Sequence, residues 1–239
     1  MNDVVISISG GMDSTGLLLR LLKERRKVYA LSFYYGQKHN IELERLKMNI
    51  EYLKEMGFEI EHNITDLSSV MGLYHSALTC KEYEVPEGHY ADDNMKQTVV
   101  PNRNAIFSSL VFGYALSIAT KNNEYIDIAL GVHSGDHAIY PDCRIEFYNA
   151  IENAFKIGNW ESEKVNYYLP YIDGDKYSIL KDSQQSCDEL GLDFNIIFKN
   201  TNTCYKPSEG GKSCGKCGSC TERLEAFEKL NIKDPVVYI

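Results

Sequence analysis

The chain has no excess of positive charge: 25 Lys and Arg stand against 34 Asp and Glu among 239 residues, a formal charge of −9. That excludes bulk electrostatic binding of nucleic acid, which needs a basic face to neutralise phosphates. No apolar run reaches the length of a bilayer span. The most apolar stretch, residues 105–120, is interrupted by Ser108, Ser109, Gly113 and Ser117 and lies between Arg103 and Lys121, so it reads as a buried helix. The opening MNDVVISISGG has no basic segment ahead of its apolar run and no small-residue cleavage site, so cytoplasmic residence is expected. Internal repeats and low-complexity tracts are missing. A disulfide framework is not expected either, because seven cysteines, an odd number, in a leaderless chain point to thiols kept free for metal or catalysis. What is present is a globular composition, 44% hydrophobic, long enough for one large core or a core with an appendage.

Residues 4–8 form a β-branched apolar run that stops at Ser9-Gly10-Gly11, and Leu17, Leu18, Leu21 and Leu22 then fall on one helical face. A second strand over 28–33, a second helix over 39–56 closed by Gly57, and a third strand over 58–64 follow. This alternation predicts an α/β, Rossmann-like parallel sheet flanked by helices. Over 65–97 the period is lost, and His75, Cys80, Pro86, Gly88, His89, Asp92 and Asp93 collect in a long excursion over the active edge. Then come a helix over 103–121, a strand over 125–130, a polar loop from Gly131, and helices over 142–157 and 176–190 with Pro170 and Gly174 at the turn between them. After Leu192 the character changes to a Gly, Ser and Lys-rich segment, with a last helix over 221–230. The expected division is a nucleotide-binding α/β domain over 1–195 and a four-cysteine segment with its helix over 196–239.

The strand VVISI feeds SGGMDS, which opens a helix. Glycines admit close backbone approach, and amides at a helix start point outward with the positive end of the dipole, so an anion belongs there. The segment is neither GxxxxGK[ST] nor GxGxxG. The plain alternative is a Gly-Gly turn with Asp13 or Ser14 as helix N-cap. Further on, Cys204, Cys214, Cys217 and Cys220 are spaced C-x9-C-x2-C-x2-C with glycines between them. Four thiolates on a flexible loop suit one structural tetrahedral zinc ion per chain. A CxxC redox pair or an iron–sulfur cluster would use the same residues, but all four positions fit a closed site and no redox partner motif accompanies them. Cys80, Cys143 and Cys187 read as buried or bystander thiols.

Three more segments, FYYGQKHNIEL, VVPNRNAIF and GVHSGDHAIYPDCRIEF, fall at strand ends or helix starts, where open α/β sheets bind ligands. SGGMDS resembles the SGGxDS loop of the ATP pyrophosphatase group, which includes asparagine, GMP and NAD synthetases and tRNA thiolases. That resemblance implies that Ser9, Gly10, Gly11, Asp13 and Ser14 cradle the β,γ-phosphates of ATP, that Asp13 helps hold Mg²⁺, and that AMP and pyrophosphate are formed. A carboxylate becomes reactive toward amines once adenylation turns its oxygen into a leaving group, and amides with metal stabilise the departing pyrophosphate.

The ordered set SGGMDST, YGQKH, VPNRN, YPDCR, Asp175-Lys176, TCY and CGKCGSC is similar to the 7-cyano-7-deazaguanine synthase family of the queuosine pathway. The resemblance implies a fold of the adenine nucleotide alpha hydrolase type. It also implies a zinc-containing homodimer that adenylates 7-carboxy-7-deazaguanine, adds ammonia to give the amide, and spends a second ATP to dehydrate the amide to the nitrile. Carried onto this chain, Asp13, Arg103 and Lys176 are catalytic. Tyr35, Gln37, Arg103, Asn104, Asp136, Tyr140, Asp142 and Arg144 line the substrate pocket, with Asp142 or Asp136 accepting from the N–H donors of the ring. The chain departs from the family pattern at Tyr34, where an Asp is usual, and at Ala138-Ile139, preceded by His137, where a Ser-Gly pair is common. Those changes leave open a relative that stops at the amide, or that joins the acid to an amine on a protein or other partner in phage defence or DNA modification. A tRNA thiolase is disfavoured by the negative charge. A non-catalytic nucleotide-binding zinc module predicts ATP binding without pyrophosphate release, and the retained Asp13 argues against it.

Overall fold

The computed structural model describes residues 1–80, 82–88, 93–136 and 139–239. Strands β1 (Asp3–Ser7), β2 (Val28–Tyr34), β3 (Ile60–Asp66), β4 (Ile126–Ala129) and β5 (Val165–Tyr168) form one parallel sheet in the order β3-β2-β1-β4-β5. Central β1 sets Val4 beside Val28 of β2 and Asp127 of β4. Helices cover both faces, so β1 and β2 are mostly apolar instead of alternating, and the buried Ser32 of β2 donates to the Ile8 carbonyl at 2.7 Å. The strand that pattern reading does not reveal is β5, VNYY, an edge strand in which Val165 is buried and the other three residues are half-buried. It is too short and too polar to show a period.

The helices are α1 (Met12–Lys23), α2 (Ile41–Glu55), α3 (Ser68–Met71), α4 (Arg103–Asn122), α5 (Ile145–Gly158), α6 (Lys176–Leu190), α7 (Phe194–Lys199) and α8 (Gly218–Lys229). On one sheet face Val4, Ile6, Val28 and Ala30 pack with the leucines of α1 and with Ile179, Leu180, Phe198 and Phe227. On the other, Val5, Tyr29 and Leu31 pack with Val111, Phe112 and Ala115 of α4. Residues from 196 onward enter both layers, Phe198 and Phe227 the first and Cys204, Cys217 and Cys220 the second. Arg223, 1% exposed, ties this segment together: it donates to Asp234 at 2.7 and 2.9 Å, to Thr201 Oγ1 at 2.7 Å, to Thr203 Oγ1 at 3.1 Å and to the Phe198 carbonyl at 3.1 Å. Among the described residues no helix is long and apolar enough to cross a membrane.

Two helix starts differ from the sequence pattern. Residues Pro141–Cys143 form a 3-10 turn and α5 begins only at Ile145, because Arg144 is extended. Helix α8 begins at Gly218, inside the cysteine segment, with Cys217 as its N-cap. The excursion over 65–97 contains α3 and a 3-10 turn at Asp93–Thr98, and it buries Leu78, Val85 and Met95. It is joined to the cysteine segment by the Gly88 amide, which donates to the Lys216 carbonyl at 3.0 Å, and by an antiparallel bridge between Glu87 and Cys217. His89 and Asp92 lie outside the described residues. With β2 on one side of β1 and β4 on the other, the connections diverge and open a crevice at the carboxyl ends of β1 and β4.

Candidate active site

The crevice floor is the turn between β1 and α1. Gly10 has φ of +93°, and a Cβ there would collide with the Glu42 carbonyl oxygen, so only glycine fits. Gly11 is the N-cap of α1 and among the described residues no side chain caps the first-turn amides, so Asp13 and Ser14 lie inside the helix and do not cap it. The amides of Met12, Asp13 and Ser14 precede the first helical bond, from the Thr15 amide to the Gly11 carbonyl at 3.1 Å. Uncapped amides at the positive end of a helix can receive an anion. The turn is braced within, by the Gly11 amide on Ser9 Oγ at 3.1 Å and the Ser9 amide on Ser14 Oγ at 3.2 Å, and from outside by the Asn202 amide on the Gly10 carbonyl at 3.0 Å.

Asp13 faces Lys176, which donates to its Oδ2 at 3.0 Å. The Lys176 ammonium also stands 2.9 Å from His133 Nε2 and 3.4 Å from Glu222 Oε2. Lys176 is the first residue of α6, held there by a capping box in which Asp175 accepts from the Ser178 amide at 2.8 Å and the Asp175 amide donates to Ser178 Oγ at 2.9 Å. An ammonium only 6% exposed, at the positive end of a helix, is disfavoured twice over, and the two carboxylates offset that cost. Burial works to raise the Asp13 pKa, but Lys176 and His133 outweigh it and hold the carboxyl below the usual carboxylate range. Among the described residues Asp13 Oδ1 is buried without a hydrogen-bond partner, a hard acceptor beside those amides that suits a divalent cation.

Above the loop lies an open cleft whose walls include Asp13, Lys176, Tyr35, Arg103 and Tyr205. Phe107 stacks on Phe33 with centroids 4.3 Å apart and meets Tyr35 edge-on at 5.6 Å, forming an aromatic wall. Arg103 starts α4, and its Nε donates to Asn104 Oδ1 at 3.2 Å. Burial opposes the Arg103 charge, yet the Tyr35, Tyr140, Tyr205 and Cys143 side chains around it raise its pKa, so the guanidinium stays charged. Burial also pushes the Tyr35 phenol up to about 12. Beside them, burial pushes the Glu42 carboxyl up to about 8 against the Gln37 hydrogen bond and Arg103, while burial and Arg103 push His39 down to about 3. Both are neutral at pH 7.

The sulfurs of Cys204, Cys214, Cys217 and Cys220 all lie within 4.8 Å of one another, and those of Cys214 and Cys220 are 3.9 Å apart. A tetrahedral site with Zn–S bonds of about 2.3 Å has S–S edges of about 3.8 Å, so the set fits a metal ion of that kind. The Lys206 and Cys214 amides donate to Cys204 Sγ at 3.3 and 3.2 Å, and the Lys216 and Cys217 amides to Cys214 Sγ at 3.4 Å each. Such N–H···S bonds favour thiolates. Gly211 and Gly215, each with φ of +73°, make the tight turns.

A family profile described as "Queuosine biosynthesis protein QueC" matches residues 3–231. The chain belongs to the QueC family. Its relatives include a 7-cyano-7-deazaguanine synthase of Caldicellulosiruptor saccharolyticus, 44% identical over 98% of this chain and 94% of that protein. The 7-cyano-7-deazaguanine synthase 2 of Colwellia psychrerythraea is 46% identical over 100% of this chain and 99% of its own length. A solved 4-thiouridine synthetase in complex with RNA and ATP overlays with a TM-score of 0.48 at 17% identity, over 96% of this chain and 51% of that one.

In this QueC family chain the cleft brings together Ser9, Gly11, Asp13, Ser14, Tyr35, Arg103, Asn104 and Lys176 of the residues singled out from sequence, with Gly10 shaping the turn beneath. Gln37 stands behind the wall, accepting from the Tyr35 amide at 2.8 Å and donating to Glu42 Oε1 at 3.1 Å. Tyr140 is buried, its hydroxyl 2.6 Å from Thr98 Oγ1. Asp142 adjoins the cleft-lining Cys143 and has a buried Oδ1 with no hydrogen-bond partner among the described residues, while Arg144 is exposed before α5. The Asp136 side chain, with His137 and Ala138, lies outside the described residues. Tyr34 is half-buried between Phe33 and Tyr35, the two that line the cleft. Sequence reasoning gave no role to His133, Glu222, His39, Glu42, Asn202 or Tyr205. The segments holding His133, His39 and Glu42 were visible as motifs, whereas Glu222 reads as an ordinary charge on a helix.

Proposed function

We propose that the chain is an ATP-dependent ligase, forming AMP and pyrophosphate, that converts 7-carboxy-7-deazaguanine with ammonia, through the amide, to 7-cyano-7-deazaguanine. The observation that carries this reading is Asp13: one carboxylate oxygen on Lys176, the other without a partner among the described residues, at the uncapped amides of α1 and in one cleft with a half-buried, charged Arg103. The names of relatives that match nearly the whole chain support the substrate class.

In this mechanism the amides of Met12 to Ser14 and the hydroxyls of Ser9 and Ser14 bind the β,γ-phosphates, and Lys176 follows the charge that develops on departing pyrophosphate. Asp13 would hold Mg²⁺, which would supply positive charge to offset that charge. Arg103 orients the acid for attack on the α-phosphorus, and the aromatic wall of Phe33, Tyr35 and Phe107 packs against a flat ring. Asp142 accepts from ring N–H groups. Ammonia displaces AMP from the acyl adenylate, and a second adenylation, on the amide oxygen, sets up loss of AMP to the nitrile. Residues 1–195 carry these groups, and Asn202 and Tyr205 from the segment after them complete the cleft. The segment 196–239 holds a structural zinc ion on its four cysteines, and the protein works as a homodimer. Mass spectrometry after incubation with ATP, the acid and ammonium tests the reading: nitrile supports it, amide alone limits it to the first half, and pyrophosphate release without a small-molecule product points to an amine on another partner.

A further inference from the structure

Lys176 forms a partition. On one side it lines the nucleotide cleft, and on the other it closes a smaller cavity walled by His133, Glu222 and Glu225. Glu222 belongs to α8, two positions after Cys220, in the turn that leaves the cysteine cluster. Its Oε2 is 3.4 Å from Lys176 Nζ, and its Oε1 packs toward Gly135, where a Cβ would stand 3.6 Å away. Its side chain is 11% exposed, against 6% for Lys176. Three further elements meet at the same ammonium: α1 through Asp13, the loop after β4 through His133, and α6 itself.

We propose that Glu222 is a positioning residue that holds the Lys176 ammonium from behind, so that helix α8, anchored by the cysteine cluster, sets where the lysine meets the phosphates. The argument rests on the reading of the cleft as an ATP site. With nucleotide bound, Asp13 shares its charge between Lys176 on Oδ2 and a cation on Oδ1, and its hold on the lysine weakens in that exchange. A lysine at the first position of a helix, repelled by the dipole there, needs a second anion to keep it in place during that exchange. Glu222 is that anion, and it approaches from the side the phosphates do not occupy. Its charge also has an opposite effect, because a carboxylate near an anion site weakens ground-state binding of a triphosphate. Positioning and simple charge therefore leave different kinetic signatures.

The test compares AMP formation by the full chain and by its Glu222→Gln, Glu222→Asp, Lys176→Met and Lys176→Met/Glu222→Gln variants, with metal content and circular dichroism measured on each. Positioning predicts that Glu222→Gln lowers kcat on the order of ten-fold with its metal retained. It also predicts that Glu222→Asp restores part of the loss and that Glu222→Gln costs nothing further once Lys176 is Met. A charge effect alone would lower KM for ATP at unchanged kcat, and that result overturns the proposal. So does a Glu222→Gln loss that persists in full in the Lys176→Met background, or a loss of metal that accompanies the fall in kcat. If the unsubstituted protein itself forms no AMP, the nucleotide reading fails, and the distinction is visible in the first control.

Discussion

Replacing Asp234 with Ala should destabilise the chain far more than an average surface substitution. Asp234 takes two hydrogen bonds from Arg223, at 2.7 and 2.9 Å, and others from the Tyr238 hydroxyl at 2.6 Å and the Val236 amide at 3.1 Å. The Arg223 side chain is 1% exposed and that of Asp234 is 4% exposed, so removing the carboxylate strands a guanidinium that water cannot reach. Breaking a buried pair from one side costs about 3–5 kcal/mol. For a chain of this size each kcal/mol lowers Tm by about 2–4 °C, so the expected fall is roughly 6–20 °C. Thermal unfolding at saturating zinc measures it. The double variant Arg223→Met/Asp234→Leu removes both charges and should recover much of the loss. The same network fixes Thr201 and Thr203 on either side of Asn202, whose amide braces Gly10, so the single variant should also weaken ATP binding. A single-variant loss below about 1 kcal/mol would show that Arg223 finds other partners and would refute the reasoning.

Glu42, whose carboxyl is raised from 4.5 to about 8, keeps a proton that the unfolded chain releases, so its contribution to stability is full below pH 4.5 and is lost as pH rises toward 8. His39, lowered from 6.5 to about 3, acts with the opposite sign up to pH 6.5, so between pH 6.5 and 8 Glu42 is the one of the two that remains. Urea titrations there should show a fall of up to about 1.4 kcal/mol per pH unit that Glu42→Gln removes, and an unchanged slope in the variant would contradict the burial argument. Gly10→Ala forces a left-handed φ on alanine and a clash with Glu42; at least about 1–3 kcal/mol of stability should be lost, with nucleotide binding, as calorimetry with ATP will read. Arg103→Ala should leave the melting curve near that of the parent and cut turnover of the acid by about 10²–10³-fold, and unchanged turnover would remove Arg103 from the site. Cys217→Ser should abolish stoichiometric zinc binding, measured by metal analysis of the purified protein, and full metal content would show that the four sulfurs do not act as one site.

The parallel sheet was legible because β1 and β2 are buried on both faces and read as apolar runs without alternation, each interrupted by one serine. The phosphate turn was legible because two glycines at a strand end, followed at once by a helical leucine face, leave the first-turn amides uncovered. The cysteine cluster was equally plain from its spacing. Strand β5 was not, since its stability comes from the ladder with β4 and not from its own composition. The start of α8 was misplaced because the ligand loop winds directly into the helix, which spacing alone does not show. Glu42 and Glu222 illustrate the harder limit: a glutamate in a helical segment looks solvated in sequence, and only the approach of α2 to Gly10 and of α8 to α6 turns these two inward.

The central claim, that this cleft activates a carboxyl oxygen by transferring AMP to it, is tested most directly by oxygen tracing. 7-Carboxy-7-deazaguanine labelled with ¹⁸O in both carboxyl positions, incubated with ATP and ammonium, should give unlabelled nitrile and two molecules of AMP, each with one ¹⁸O on its phosphate. Label recovered in orthophosphate, with ADP as the nucleotide product, would contradict the account.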